Sequence, residues 1–341
     1  MYPLNPSLTL PTPLILGISP LTSHTLSFIF ASSYVGCIYL ATHISFPSFP
    51  SLSSQSQNNP TPSLPPISAT DKDGYPLVPP IKSRDHPDTI KRRMKAISIT
   101  TLISLGSIWI IVKDTSHGKY TWTSSLLPTL RLLGLDPSLI LNRGGSIWSN
   151  VIPYVLTPIL FVGPIYSKWL DSKDQPQPRR SFSQLVQETY NDFDLIALRN
   201  YIVGPMTEEL VFRSCILSVS ILGGLSSSTL VFGTPLWFSL AHAHHAWESY
   251  RRNGSTRRAA LQATMGCLFQ IGYTTLFGWF ASYSFIRTGS ILPPLASHIF
   301  CNIMSIYLPT TAVERHPKRK ISIWALYLIG IAGFAWTIRY L

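Results

Sequence analysis

Eight runs of this chain are apolar enough to cross a membrane as helices: residues 21–44, 96–112, 147–170, 201–222, 225–242, 259–286, 291–309 and 321–340. A helix needs about 20 mostly apolar residues to span roughly 30 Å of hydrocarbon. The second and fifth runs are short enough for one of them to be tilted or only partly inserted. The expected fold is therefore all-α, a polytopic transmembrane helix bundle of about eight spans.

Composition agrees with lipid as the solvent. Charged residues make up 12% of the 341 and aromatics another 12%, the former about half the share usual in soluble proteins. A net charge of +12 raises the question of nucleic acid. No basic helix is interleaved with stacking aromatics, however, and Lys and Arg sit in short loops between apolar runs. Nucleic acid is not an expected partner; the bilayer is. Cys37, Cys215, Cys267 and Cys301 all fall inside apolar runs with no CxxC spacing, which points to buried thiols, with neither disulfide nor zinc. The N-terminus has no positive n-region, so the first run is expected to stay as a signal anchor.

The loops check the span count. With the N-terminus in the lumen, 20 of the 27 Lys and Arg fall on the cytosolic side and six on the other, with Arg213 inside a span. That is the asymmetry of the positive-inside rule. The chain divides into a lumenal N-terminus with the first helix (1–45), a Ser/Pro-rich cytosolic loop (46–95), the second and third spans (96–180), a core (181–309), and a basic loop with the last helix (310–341). The Ser/Pro-rich stretch cannot bury enough apolar surface to order itself and is expected to be disordered. Residues 181–200 read as an amphipathic interfacial helix.

Polar groups inside spans are costly, roughly 2.5–3.5 kcal/mol for a mid-bilayer charge, so they carry the functional information. In Thr207-Glu208-Glu209-Leu210-Val211-Phe212-Arg213, Glu209 and Arg213 are four apart and share a helix face, as an ion pair would. Glu208 is turned about 100° away. It is either a hydrogen-bonded structural acid or a general base. Phe238-Ser239-Leu240-Ala241-His242-Ala243-His244-His245 ends the fifth run. His242 and His245 can share a face, and His244 points elsewhere. The spacing is not the His-Glu-x-x-His of a zinc site. His298 and Asn302, one turn apart in the seventh run, form either an interhelical hydrogen bond or part of a cavity wall. The topology puts Glu208, His242, His298 and Asn302 at similar depth in the cytosolic half of the bilayer. A carboxylate, imidazoles and an amide at one depth are the parts that water-mediated amide hydrolysis requires.

Glu-Glu-x-x-x-Arg (208–213), Phe-x-x-x-His (238–242) and His-x-x-x-Asn (298–302), in this order, resemble the three motifs of the type II CAAX prenyl endopeptidases, which are glutamate-type intramembrane proteases. Gly204-Pro205-Met206-Thr207, His244-His245 and Phe285-Ile286-Arg287-Thr288-Gly289 fit as flanking text, and the resemblance is strongest over residues 190–309. It implies an eight-helix endoplasmic reticulum protein whose cavity opens to cytosol and bilayer. Its substrates would be prenylated proteins ending in Cys-a-a-X, small GTPases among them, cut after the modified cysteine. By the same resemblance Glu208 and His242 activate the water, and His298 and Asn302 stabilise the oxyanion. Glu209, Arg213, Phe238 and His245 support the site, and neither cofactor nor metal is expected. The rival readings are a transporter with buried Glu and His, which would show repeats or matched broken spans, and a non-catalytic scaffold of the same fold.

Overall fold

The computed structural model describes residues 17–43, 85–138, 147–174 and 193–341. The helices in chain order are α1 (Pro20–His43), α2 (Pro87–Thr115), α3 (Trp122–Leu132), α4 (Ile147–Leu160), α5 (Val162–Asp174), α6 (residues 195–222), α7 (Pro235–Ala241), α8 (His244–Arg252), α9 (Arg257–Thr288), α10 (Leu292–Met304), α11 (Pro309–Arg315) and α12 (Lys320–Thr337). The described residues contain no strand. Long apolar side chains point outward along the bundle, among them Leu102 and Ile103 on α2, Leu276 on α9 and Leu328 on α12. Such a surface suits hydrocarbon rather than water, and the protein is a membrane helix bundle.

By length and hydropathy alone three helices qualify as spans, α1, α2 and the segment containing α12; α4 and α5, bent by 55° at a short break, qualify together as a fourth. The other expected runs are helical but fall short of that measure. Residues 195–222 and 229–241 are divided by π turns, α10 has only 13 residues, and α9 carries polar residues along one face. The expected disordered stretch and most of the expected helix over 181–200 lie outside the described residues. α2 starts at Pro87 rather than near residue 96 because His86 caps it, accepting from Asp88 N–H at 3.2 Å. Pro at the first helical position costs no hydrogen bond there. Ile90 and Ile97 then turn inward, leaving Lys91 and Lys95 exposed between them.

Two prolines shape the middle of the bundle by the same device. Pro205 has no N–H, and the preceding N–H, of Gly204, bonds five residues back to Arg199. The carbonyl of Asn200 is thereby left without a helical donor. Pro235 does this to the carbonyl of Leu230, since the Thr234 N–H reaches back to Thr229. The Thr234 hydroxyl fills the gap, donating to Leu230 O at 2.7 Å. The result is a π turn ahead of each proline, over Arg199–Val203 and Thr229–Gly233; a third π turn, over Leu210–Cys215, has no proline after it. Single π turns in helices often mark functional sites.

Elsewhere serines stand in for missing donors. Ser214 and Ser218 of α6 donate to the carbonyls of Leu133 and Leu132, at 2.7 and 3.1 Å. They reach the two carbonyls at the C-terminal end of α3 that follow those taken by main-chain N–H groups. On the other side of the bundle Asp171 at the end of α5 accepts from Tyr307 and His316, each at 2.8 Å, and from Arg315 at 3.2 Å. These bonds fasten the segment between α10 and α12.

α12 approaches α4 closely through Gly330, where an added Cβ would stand 2.8 Å from the Leu160 carbonyl oxygen and 3.0 Å from that of Ile159. Both are main-chain atoms that cannot swing away. Small residues at such crossings let membrane helices meet backbone to backbone. Gly330→Leu is therefore expected to destabilise the bundle by about 1–3 kcal/mol. An unchanged thermal midpoint of the detergent-solubilised variant would show that the crossing is not close.

Candidate active site

Glu208 and Glu209 sit between the π turns of α6, on the Gly204–Glu209 segment. Glu209 is fully buried, and its Oε1 has two neighbours: Arg213 Nη1 at 3.0 Å and His298 Nδ1 at 2.7 Å. The ion pair expected from the four-residue spacing is thus present, and α10 joins it through His298. A carboxylate oxygen that also takes an arginine N–H can only accept, so the His298 Nδ1 carries a hydrogen and donates. The other ring nitrogen, Nε2, faces Glu208 Oε2 at 3.7 Å, beyond hydrogen-bond reach. His298 thus stands between the two adjacent carboxylates.

Arg213 is 1% exposed. Its guanidinium lies over the Phe238 ring at 4.2 Å and near the Phe277 ring at 5.5 Å. A desolvated cation over aromatic faces gains about 2 kcal/mol or more, which offsets part of its burial. Phe238 is the hub of the site. Its ring also meets His242 at 4.6 Å, Phe212 at 5.2 Å and His298 at 6.1 Å between centroids. Its carbonyl oxygen, in the last turn of α7, lies 2.8 Å from His242 Nδ1. A carbonyl only accepts, so Nδ1 carries the hydrogen, and in the neutral ring Nε2 keeps its lone pair. The Phe-x-x-x-His spacing therefore fixes the ring by a bond to an orphan carbonyl of the helix end.

Asn302, one turn after His298, donates from Nδ2 to the carbonyl of Asn200 at 2.9 Å. That is the carbonyl that Pro205 leaves without a helical donor. One amide hydrogen of Asn302 is used in this way, and the second has no partner among the described residues. The bond ties α10 to the first π turn of α6. His245, in the first turn of α8, has its ring 5.9 Å from that of His242, and its Nδ1 lies 3.6 Å from Glu248. His244 turns away, edge-on to Tyr39 and tilted over His245.

Glu208, Glu209, Arg213, Phe238 and His298 thus form one contact cluster, His242 joins it through Phe238, and His245 flanks His242. Glu208 has its ion-pair contact with His298; none with His242 lies within 4 Å. One neighbour escaped the sequence reading. Tyr34 of α1 shares a hydrogen bond with the Thr207 hydroxyl at 2.9 Å and packs on Phe212. An aromatic in an apolar run carries no signal that separates it from lipid-facing filler. Among the described residues no group of three or more His, Cys, Asp or Glu is arranged to hold a metal ion.

These elements coincide with what known proteins share. A family model described as "Type II CAAX prenyl endopeptidase Rce1-like" matches residues 192–304, which include every residue of the cluster. The CAAX prenyl protease 2 of Homo sapiens is 34% identical over 261 residues, covering 74% of this chain and 71% of that protein. The CAAX prenyl protease 2 of Arabidopsis thaliana is 35% identical over 205 residues, 56% of this chain and 63% of the relative. That of Saccharomyces cerevisiae is 29% identical over 285 residues, 75% and 86% respectively. No solved structure matches significantly. With the three motifs joined in one cluster and relatives aligned over most of both chains, this chain belongs to the family of type II CAAX prenyl endopeptidases.

Proposed function

We propose that the protein is an intramembrane endopeptidase that removes the C-terminal tripeptide from prenylated proteins ending in Cys-a-a-X, small GTPases among them. It would work in the endoplasmic reticulum membrane with its site facing the cytosol. The observation that carries this reading is the cluster itself: a quarter-exposed Glu208 beside a fully buried Glu209–Arg213–His298 network, inside a membrane bundle of this family. A prenyl chain gains about 0.8 kcal/mol per buried methylene, so the bond to be cut is delivered at membrane depth. The split of 20 Lys and Arg against six supports the cytosolic orientation.

In the proposed reaction Glu208 takes a proton from water as the oxygen attacks the carbonyl after the prenylated cysteine. His242 orients that water, accepting through Nε2 because its Nδ1 is committed to Phe238 O. The tetrahedral oxyanion is met by the second amide hydrogen of Asn302 and by His298. His298 donates through Nε2 only when both ring nitrogens are protonated, and in that state the group Glu208, Glu209, Arg213 and His298 is electrically neutral. Collapse breaks the C–N bond, and the proton held by Glu208 passes to the departing amine. Residues 181–309 form the catalytic core in this reading.

The test is release of the tripeptide from a farnesylated Cys-a-a-X peptide by the solubilised protein, with and without a zinc chelator. Cleavage that survives the chelator and disappears in both Glu208→Ala and His242→Ala is expected. Loss of activity on chelation would move the histidines to a metal site. No cleavage by folded protein would return the field to the transporter and scaffold readings.

A further inference from the structure

α9 is apolar on its outer side, where Leu261, Met265, Leu268 and Phe269 are exposed. Gln262, Gly266 and Gln270 recur on it every four residues and so lie on one face. That face is open at Gln262 and Gly266. It lines a cleft of about 380 Å³ whose opposite wall is α8, through His245, Glu248 and Arg252. These three positions, spaced by three and four, also share one helix face. Polar side chains of the two helices thus face each other across the cleft, with Ala246, Ala263 and Cys267 between them.

We propose that this cleft holds the three residues that leave, with Arg252 binding their terminal carboxylate. The proposal rests on the reading of the chain as a Cys-a-a-X endopeptidase and names the subsite for the leaving peptide. Its dimensions fit. One end is His245, whose ring is 5.9 Å from that of His242, so the cleft begins at the catalytic cluster. Arg252 lies seven residues further along α8, a rise of about 10 Å, and three extended residues span about 10 Å. The charges fit as well. Glu248 is engaged by Arg93 at 3.8 Å and His245 at 3.6 Å, whereas no carboxylate among the described residues pairs with the exposed Arg252. A terminal carboxylate is the one charge that every Cys-a-a-X end carries and no internal peptide bond does. A guanidinium placed three residues from the scissile bond would restrict cutting to chain ends. The polar cleft cannot take the prenyl group, which stays with the apolar outer side of α9.

The experiment compares farnesylated Cys-a-a-X peptides ending in a free acid or in an amide. Wild type is expected to prefer the acid. Arg252→Ala is expected to raise KM for the acid roughly ten- to a hundredfold and leave the amide unchanged, so that the preference disappears. Arg251→Ala serves as the control, since Arg251 stands over the Trp247 ring and does not line the cleft. Gly266→Leu gives an independent block: an added Cβ there meets nothing within 4 Å, so the helix packs as before while the side chain fills the recess and binding of the acid falls. Cys267, partly exposed in the same cleft, supplies a readout that needs no turnover. In the Glu208→Gln background the acid peptide is expected to slow alkylation of Cys267, followed by peptide mapping, and the amide is not. An acid preference that survives Arg252→Ala, or alkylation indifferent to the peptide, overturns the proposal. If wild type cuts neither peptide but the acid still protects Cys267, the hydrolytic reading falls and the carboxylate subsite stands.

Discussion

Glu208→Gln is expected to lower kcat for tripeptide release by about 10²–10⁴ while the protein folds, inserts and binds prenylated peptide as before. The substitution keeps the shape of the side chain and removes only its ability to hold a proton. The carboxylate is a quarter exposed, and its contact with His298 Nε2 is long, at 3.7 Å, so little structure depends on its charge. Glu209→Gln makes the contrast. That carboxylate is fully buried and takes both Arg213 and His298 on one oxygen, so the amide should lose stability and activity together. Adjacent, chemically identical residues are thus expected to separate into a kinetic and a structural variant. The measurement is kcat and KM for a farnesylated peptide alongside the thermal midpoint of each variant. If Glu208→Gln keeps kcat within a few-fold of wild type, the base lies elsewhere, and the free Nε2 of His242 becomes the first candidate. A double variant with His242→Ala should cost little beyond either single one, because groups that act on one water fail as a unit.

The parts of this site that could be read from the sequence are those set by helical spacing. Glu209 and Arg213 are four apart on one helix, and their ion pair follows from that geometry alone. His298 and Asn302 are four apart as well, and both reach α6, but at different places: His298 goes to Glu209, and Asn302 to the carbonyl of Asn200. The second destination is legible only in hindsight, from the missing N–H of Pro205. Pro235 signals the orphan carbonyl of Leu230 in the same way. Contacts between helices far apart in the chain left no such trace. Tyr34 and Thr207 meet across 173 positions, and nothing local distinguishes that tyrosine from others in apolar runs. The placement of Glu208 beside His298 rather than against His242 is likewise a property of the packing. The helix α8 falls between two of the apolar runs, and its aromatic pair, Trp247 and Tyr250, is too short a stripe to announce a helix. Its amphipathic character depends on what lies on either side of it.

Arg213→Met is expected to destabilise the protein by about 3–5 kcal/mol, the usual cost of removing one partner from a buried ion pair. Methionine fills much of the same volume, so the loss is of charge rather than of packing. Without the guanidinium, Glu209 keeps only the hydrogen bond from His298, at a place with no solvent to replace the missing cation. The pair is held by one hydrogen bond, Nη1 to Oε1. Glu209 Oε2 and Arg213 Nη2 have no hydrogen-bond partner among the described residues. Its net worth is therefore modest, and the large effect comes from leaving one member behind. Two further variants separate these ideas. Arg213→Lys retains the charge but not the flat guanidinium that lies over Phe238 at 4.2 Å, so it should recover only part of the loss. Glu209→Gln combined with Arg213→Met removes both charges and should be more stable than Arg213→Met alone. Unfolding of wild type, Arg213→Met, Arg213→Lys, Glu209→Gln and the double variant by denaturant in one detergent gives all these comparisons. Additive losses in the double variant would mean that the two side chains are not coupled. An Arg213→Met protein as stable as wild type would mean that the Glu209 carboxyl is buried without its charge, and that His298 alone suffices to hold it.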